Sequence, residues 1–395
     1  MRLSTRVSGL RTTVDRYPNL FDAPPGSINL GPGDPQFPMP QFIADGVREA
    51  LAQGHTRYTP VAGVLELRTA IAATLHRDHG VTYGPDEVIV GAGSKQLLSS
   101  ALLATVEPGD EVILVAPYYP VYVPMVSFTG ADPVMVRSDP ASDYALPVDQ
   151  IAAALTDRTR WIILNSPNNP CGRTYTAQEY QALERVLEQA PRVGVLADQI
   201  YELLTFDEVI APSIVSVSEP LRARSVLISG FSKAYSMTGL RVGYAAGDPD
   251  LVRAMGRIHY VTTSCAASLS QYAALAALRG PRTSIRENAR ALRRLATLAA
   301  TELSKVEGME VRPPGAGLYV FANCERLLGS RGPDGEQIGS DLDLTTYLDR
   351  RGKVQVMPGT LFGLPGHLRV TCTGDENELR EGLRRIVDTL SELQR

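Results

Sequence analysis

The sequence predicts an α/β fold: a large domain built on a mostly parallel sheet sandwiched by helices, joined to a smaller α+β domain. Three observations predict it. Short β-branched runs alternate with helical patterns through the middle of the chain, which suits a parallel sheet covered on both faces. Clusters of glycine, proline, asparagine and charged residues follow those runs, where such sheets carry their functional loops. Past residue 281 the alternation gives way to one long helical stretch and several short strands.

The elements follow in order. Residues 88–90 read as a strand, 95–106 as a helix, and 111–115 as a strand after the turn Pro108-Gly109-Asp110. Strands are expected at 161–164, 193–197 and 225–229, with a helix at 177–189. Then come a helix rich in Arg, Ala and Leu at 284–306, strands near 308–312, 318–321, 354–356 and 368–371, and an amphipathic helix at 376–393. The expected division is a large domain of residues 45–280 and a small one of 1–44 with 281–395. The loop 329–335 is polar, Gly-rich and expected to be exposed. No internal repeat or low-complexity tract interrupts the pattern.

Composition excludes several classes. The 395 residues suffice for two cores. The apolar fraction of 44% and charged fraction of 21% are ordinary for a globular protein. A net charge of -4 gives no basic excess for nucleic acid or an anionic membrane. Cys171, Cys265, Cys324 and Cys372 lie too far apart for a zinc spacing or a disulfide framework, so reduced thiols are expected. The start of the chain has no apolar signal core, and Pro117, Pro120 and Pro124 break its most apolar stretch. A cytoplasmic location follows. His76 and His79 flank Arg77 and Asp78 at helical spacing, which predicts a solvated face and no metal.

The most informative segment is Gly230-Phe231-Ser232-Lys233-Ala234-Tyr235-Ser236-Met237-Thr238-Gly239-Leu240-Arg241-Val242-Gly243. Small neighbours give a surface lysine little to lie along. They suit a lysine that bonds covalently to a carbonyl compound held close to the backbone. Arg241 is the fixed, bidentate cation that a phosphate wants. The turn Gly91-Ala92-Gly93-Ser94-Lys95-Gln96 can bind an anion at a helix start. Alone it is equally a plain strand–helix connection, and Gln96 replaces the third glycine of a dinucleotide fingerprint. Tyr119 can stack on a heteroaromatic ring or fill core. In Asn165-Ser166-Pro167-Asn168-Asn169-Pro170-Cys171-Gly172 two prolines and a glycine fix Asn169, as a rigid donor or an ordinary Asx turn. Asp198 ends an apolar run, costly unless it meets a cation or caps a helix. Tyr201 follows on the same turn. Arg369, within the short apolar run 367–371, suits capture of a carboxylate or lies at the surface.

In order, these segments resemble the class I/II aminotransferases, fold type I of the pyridoxal phosphate (PLP) enzymes, and in particular the bacterial aspartate and aromatic aminotransferases. The resemblance spans roughly residues 28–393. It implies that Lys233 holds PLP as a Schiff base and that Ser94, Lys95, Gln96, Ser232 and Arg241 surround its phosphate. It implies that Tyr119 stacks on the pyridine ring, that Asn169 and Tyr201 bond its phenolic oxygen, and that Asp198 faces its protonated nitrogen. Arg369 and Asn169 would bind the substrate carboxylate, and Gly33, in the loop 30–37, would line the substrate pocket. Tyr58, in a Tyr-x-Pro-x-x-Gly match, would reach the phosphate of a neighbouring subunit, implying a homodimer with shared active sites. Cys171 replaces the family's threonine, Gln199 is a variation, and the leader ahead of residue 28 is short.

The expected activity is amino transfer between an L-amino acid and a 2-oxo acid in amino-acid metabolism and biosynthesis. Freed Lys233 would be the general base at Cα, its pKa lowered by burial and nearby cations. Lys95 leans the substrate towards aspartate or glutamate, and equally serves as a phosphate-side lysine. The alternative is a PLP-dependent lyase, γ-replacement synthase or amino-acid oxidase, which would share Lys233, Asp198 and Arg369. A PLP-sensing transcription regulator would need a helix-turn-helix domain, for which about 27 leading residues are too few. A nicotinamide dehydrogenase rests on Gly91-Ala92-Gly93 alone.

Overall fold

The structure, a computed structural model, describes residues 4–10, 12–16 and 24–394; residues 1–3, 11 and 17–23 of the leader, and residue 395, lie outside it. The alternation becomes a seven-stranded sheet: β1 (Val88–Gly91), β2 (Glu111–Ala116), β3 (Asp132–Arg137), β4 (Thr159–Asn165), β5 (Gly194–Asp198), β6 (Ser225–Gly230) and β7 (Gly243–Ala246). The spatial order is β1-β7-β6-β5-β4-β2-β3. Every neighbouring pair is parallel except the two that β7 makes. Because β7 opposes both β1 and β6, β1 points the same way as the other five. Its carboxyl end therefore opens on the same edge as theirs.

Two strands gave no clear signal. The outermost, β3, contains Pro133 and is mostly exposed or half-buried, as an edge strand tolerates. Gly243-Tyr244-Ala245-Ala246 lacks β-branched residues, yet it is fully buried between β1 and β6. Pairing on both sides overrides its weak propensity. Helices α1 (Gln41–Ala52), α2 (Leu65–His79), α3 (Ser94–Thr105), α4 (Tyr122–Thr129), α5 (Ala177–Leu187), α6 (Pro249–Thr262) and α7 (Ser268–Arg279) accompany this sheet. A capping box starts α5: Thr176 Oγ1 accepts from Glu179 N, and Thr176 N donates to Glu179 Oε2 at 2.7 Å.

A second sheet comprises β8 (Glu310–Val311), β9 (Tyr319–Asn323), β10 (Met357–Pro358) and β11 (His367–Thr371), antiparallel in the order β10-β11-β9-β8. The strand expected at 354–356 divides, since Val354–Gln355 instead pairs in parallel with Ile28–Asn29. This draws the N-terminal segment onto the C-terminal part of the chain. Helix α8 (Thr283–Leu303) buries Ile285, Ala289, Leu292, Ala296, Ala299 and Leu303 at helical spacing. It packs on α9 (Glu376–Ser391). Each leucine in that seam contributes roughly 1.5–3 kcal/mol, so Leu292→Asp would break it.

Two expectations need correction. The solvated face holds only for His76. The His79 side chain is 4% exposed, and its Nε2 lies 2.9 Å from Glu202 Oε2. Asp78, which suggested solvent, pairs with Arg282. Gly80, at φ 69°, ends α2 and accepts the left-handed turn there. The loop 329–335 is exposed only in part: Ser330 and Gly332 are buried, because Arg331 N donates to Gln394 O at 2.7 Å. Among the described residues no helix is long and apolar enough to cross a membrane.

Candidate active site

The carboxyl ends of β1, β2, β4, β5 and β6 open into one cavity of about 820 Å³, which β9 and β11 of the second sheet also line. Lys233 follows β6, and its Nζ donates to Gly33 O. Burial pulls the amine down to about 8; Asp34 opposes this, while Arg369, Arg241 and Lys95 add to it. Such an amine is partly neutral near neutral pH, as a nucleophile or base requires. A Cβ at Gly33 would overlap Tyr319 Oη, so only glycine fits between that ring and the lysine.

Asp198 ends β5 and is 4% exposed. Tyr122 Oη donates to its Oδ2 at 2.7 Å, and Ile200 N donates to Oδ1 at 3.3 Å. Burial lifts the carboxyl to about 6 even so, with both hydrogen bonds and the Lys233 charge opposing. The acid is held in place and still wants a cation. Tyr201 Oη lies 2.9 Å from Tyr319 Oη. Burial, then the Tyr319 neighbour, keep Tyr201 a neutral phenol able to donate. Tyr119 lines the cavity, set edge-on against Tyr122 with centroids 5.6 Å apart.

Asn169 is fixed from both sides. Its N–H donates to Asn165 Oδ1 at 2.7 Å, and its Oδ1 accepts from Arg369 Nη1 at 3.0 Å. That leaves the Asn169 Nδ2 donor for the cavity. The neighbouring Cys171 thiol donates to Asn168 Oδ1 at 3.1 Å, so cysteine keeps a side-chain donor where the family has threonine. Burial pushes this thiol up to about 12. Gln199 is buried, bonded to Ser213 Oγ at 2.5 Å, and does not line the cavity.

Arg369 is 5% exposed on β11. Its guanidinium lies 4.3 Å from the Tyr319 ring centre and 4.9 Å from that of Phe362. Nη2 donates to Gly31 O, and the buried Nε has no partner. Among the described residues no carboxylate forms an ion pair with it. Burial lowers its pKa, as it must for a cation out of water.

At the opposite end, Arg241 (φ 50°) lies over Gly93 (φ 84°), and a Cβ there would come within 2.7 Å of Nη2. Ser94, Lys95, Ser232 and Thr238 also line this end. With the first turn of α3, they form a cradle for an anion. Gln96 takes no direct part: its Oε1 accepts from Ala92 N and its Nε2 donates to Thr263 Oγ1 at 2.6 Å, bracing the turn from behind. Tyr58 is 89% exposed and outside this cavity.

Tyr122, Tyr319, Phe362 and Asp34 escaped the sequence reading. Asp34 stands inside the recognised loop 30–37. The three aromatics look like any core aromatic, and only the folded chain aims them. The assembled groups fit a planar heterocycle that carries an anionic arm towards Arg241, a basic ring nitrogen towards Asp198 and a carbonyl carbon near Lys233. The unpaired Arg369 Nε and the buried Asp198 are the groups such a ligand and its substrate would satisfy.

Known proteins agree with this fold. Residues 25–386 match the family model described as aminotransferase class I and II. An aspartate aminotransferase of Rhizobium meliloti is 38% identical over 359 residues, covering 91% of this chain and 88% of that protein. An aspartate/prephenate aminotransferase of Cereibacter sphaeroides is 39% identical over 359 residues, covering 91% and 90%. The crystal structure of the aspartate aminotransferase from Rhizobium meliloti superposes with a TM-score of 0.94 at 34% identity, over the whole of both chains. The chain therefore belongs to the class I and II aminotransferases and is an enzyme that moves an amino group between an L-amino acid and a 2-oxo acid.

Proposed function

We propose that the enzyme uses PLP bound at Lys233, that it prefers a dicarboxylic amino acid such as aspartate, and that it works as a homodimer. What carries this reading is the buried Arg369, held by Asn169 without a carboxylate partner, in the same cavity as Lys233 and Asp198. When bound, the cofactor supplies a reactive aldehyde and an electron-withdrawing ring that accommodates negative charge at the substrate Cα.

The chain's own residues do the rest. Ser94, Lys95, Ser232 and Arg241 hold the phosphate, and Gln96 braces their turn. Tyr119 covers the ring, Asn169 and Tyr201 donate to its phenolic oxygen, and Asp198 holds positive charge at its nitrogen. Arg369 and Asn169 orient the substrate α-carboxylate, beside the loop of Gly33. Lys233 would take the substrate Cα proton and hold it for return, which its depressed pKa allows. The names of the two relatives support the choice of a dicarboxylic amino acid.

Tyr58 would complete the partner's phosphate site, in keeping with its exposure. The large domain is assigned to residues 45–280 and the small one to 1–44 and 281–395, supported by the pairing of Ile28–Asn29 with Val354–Gln355. Four unpaired cysteines suit a reducing cytoplasm and a role in amino-acid biosynthesis. Nothing observed favours the lyase, synthase or oxidase alternative.

A half-reaction screen tests the proposal. Each amino acid is mixed with the purified enzyme while the visible spectrum and the 2-oxo acid are followed. Aspartate should give the fastest conversion, with no ammonia. After borohydride treatment the peptide containing residue 233 should carry a pyridoxyl mass. An unmodified peptide, or ammonia released without an acceptor, would sink the reading.

A further inference from the structure

A second cavity, of about 230 Å³, lies behind the Asn169 loop. Residues 171–174 and the segment 312–315 that leads to β9 both line it. Arg173, Arg312, Asp143 and Asp207 stand on its wall. These charges pair only loosely with one another, the Arg312 and Asp143 side chains remaining 52% and 60% exposed. Asp143 is 3.8 Å from Arg173 Nε and 3.9 Å from Arg312 Nη1, against about 2.7–2.9 Å for a charge-assisted hydrogen bond. Arg173 spends its Nη2 on Glu179, and its buried Nε has no hydrogen-bond partner. Leaving such a donor unpaired costs roughly 1–3 kcal/mol.

The backbone here is also strained. Asp143, Tyr144 and Glu208 have φ of 55°, 54° and 62°. The first two line the cavity, and Glu208 sits between Asp207 and Val209, which do. Left-handed non-glycine residues concentrate where a ligand is gripped. Tyr144 and Phe321, with ring centres 6.2 Å apart, add an apolar wall.

We propose that this cavity is a second binding site, for a free α-amino acid, separate from the catalytic one. The ligand carboxylate displaces the half-exposed Asp143 carboxylate from its place between Arg173 Nε and Arg312 Nη1, the freed Asp143 takes the ammonium with Asp207 at the rim, and the side chain lies against Tyr144 and Phe321. A plain anion would face two carboxylates, and a plain cation would face two guanidinium groups. A zwitterion meets both. The volume is below the roughly 300–1,000 Å³ of drug-sized sites, which suits a ligand this small. The occupant would also brace the catalytic site. Cys171 lies two residues past Asn169, and Phe321 stands opposite Arg369 in the β9–β11 register.

The test uses the borohydride-reduced holoenzyme saturated with maleate, which occupies the carboxylate site at Arg369 and brings no amine. L-Phenylalanine is then titrated in by calorimetry. One L-phenylalanine should bind per chain, about tenfold tighter than 3-phenylpropanoate, which lacks the ammonium. Arg312→Ala should weaken the amino acid about tenfold or more, and Asp143→Asn should erase the preference between the two probes. Thermal melting verifies that both variants fold. Absence of saturable heat up to about 10 mM, or an isotherm that neither substitution moves, overturns the assignment.

Discussion

Asp198 and Arg369 are both buried charges in one cavity, yet they are held in opposite ways. Asp198 belongs to the seven-stranded sheet and keeps two hydrogen-bond donors, Tyr122 Oη and Ile200 N. Arg369 belongs to the four-stranded sheet and rests between the rings of Tyr319 and Phe362, with Nε unpaired. A permanently bound group needs a permanently fixed counter-charge. A substrate that comes and goes needs a cation whose partner can leave without stranding a hydrogen-bonded acid. On the proposed reading the large sheet would retain the cofactor and the small one would exchange substrate.

The strongest test of that contrast is Lys233→Ala. Turnover should fall about 10⁴-fold or more, while maleate binding by equilibrium dialysis stays within a few-fold. Loss of maleate binding would show that the two halves are not independent. Next is Asp198→Asn, which on the proposed reading would leave the cofactor's cationic ring nitrogen without its acid. Removing one partner of a buried pair costs about 3–5 kcal/mol, or roughly 10²–10⁴-fold in kcat.

The same substitution has a pH signature in protein stripped of cofactor. Burial raises the folded pKa of Asp198 from 3.8 to about 6. The ionised acid therefore opposes folding above that value, and the penalty fades as pH falls through about 6 to about 4. Asp198→Asn should raise Tm at pH 8, by a change on the order of 3 kcal/mol, and the gain should vanish below about pH 4. A gain that persists in acid would mean that the carboxylate is not the cause.

Arg369→Lys comes third. It loses planar stacking and the second donor arm, so KM for both substrates should rise about 10–100-fold, with kcat less affected. An equal fall in kcat would assign Arg369 to the chemical step. The smallest effect is expected from Gly33→Ala. Its methyl displaces Tyr319, which should cost about 1–3 kcal/mol of stability in thermal unfolding and raise KM modestly. An unchanged Tm would show that Tyr319 can move freely.

Sequence reading found the strands whose β-branched runs are buried on both faces, such as Glu111–Ala116 and Gly194–Asp198. It missed Gly243–Ala246, whose composition carries no signal and whose strand state comes from two neighbours. It singled out Lys233 and Asn169 from segments punctuated by glycine or proline, Asp198 from its place at the end of an apolar run, and Arg369 from a short apolar run together with the family resemblance. It placed Gln96 among the phosphate ligands, whereas the side chain turns back to Ala92 and Thr263. It took the charged neighbours of His79 for solvent contacts, although Asp78 and His79 find partners more than a hundred residues away.

The sequence by itself determined the alternating architecture, the family and the residues fit for covalent and charge chemistry. Those properties are local, written in periodicity, turn residues and side-chain type. Only the tertiary structure decided which groups share a cavity: Tyr122 against Asp198, Tyr319 between Gly33 and Arg369, Arg173 beside Arg312. Burial and long-range proximity are properties of the folded chain, and they set the lowered Lys233 and raised Asp198 pKa values. No stretch of neighbouring residues encodes them.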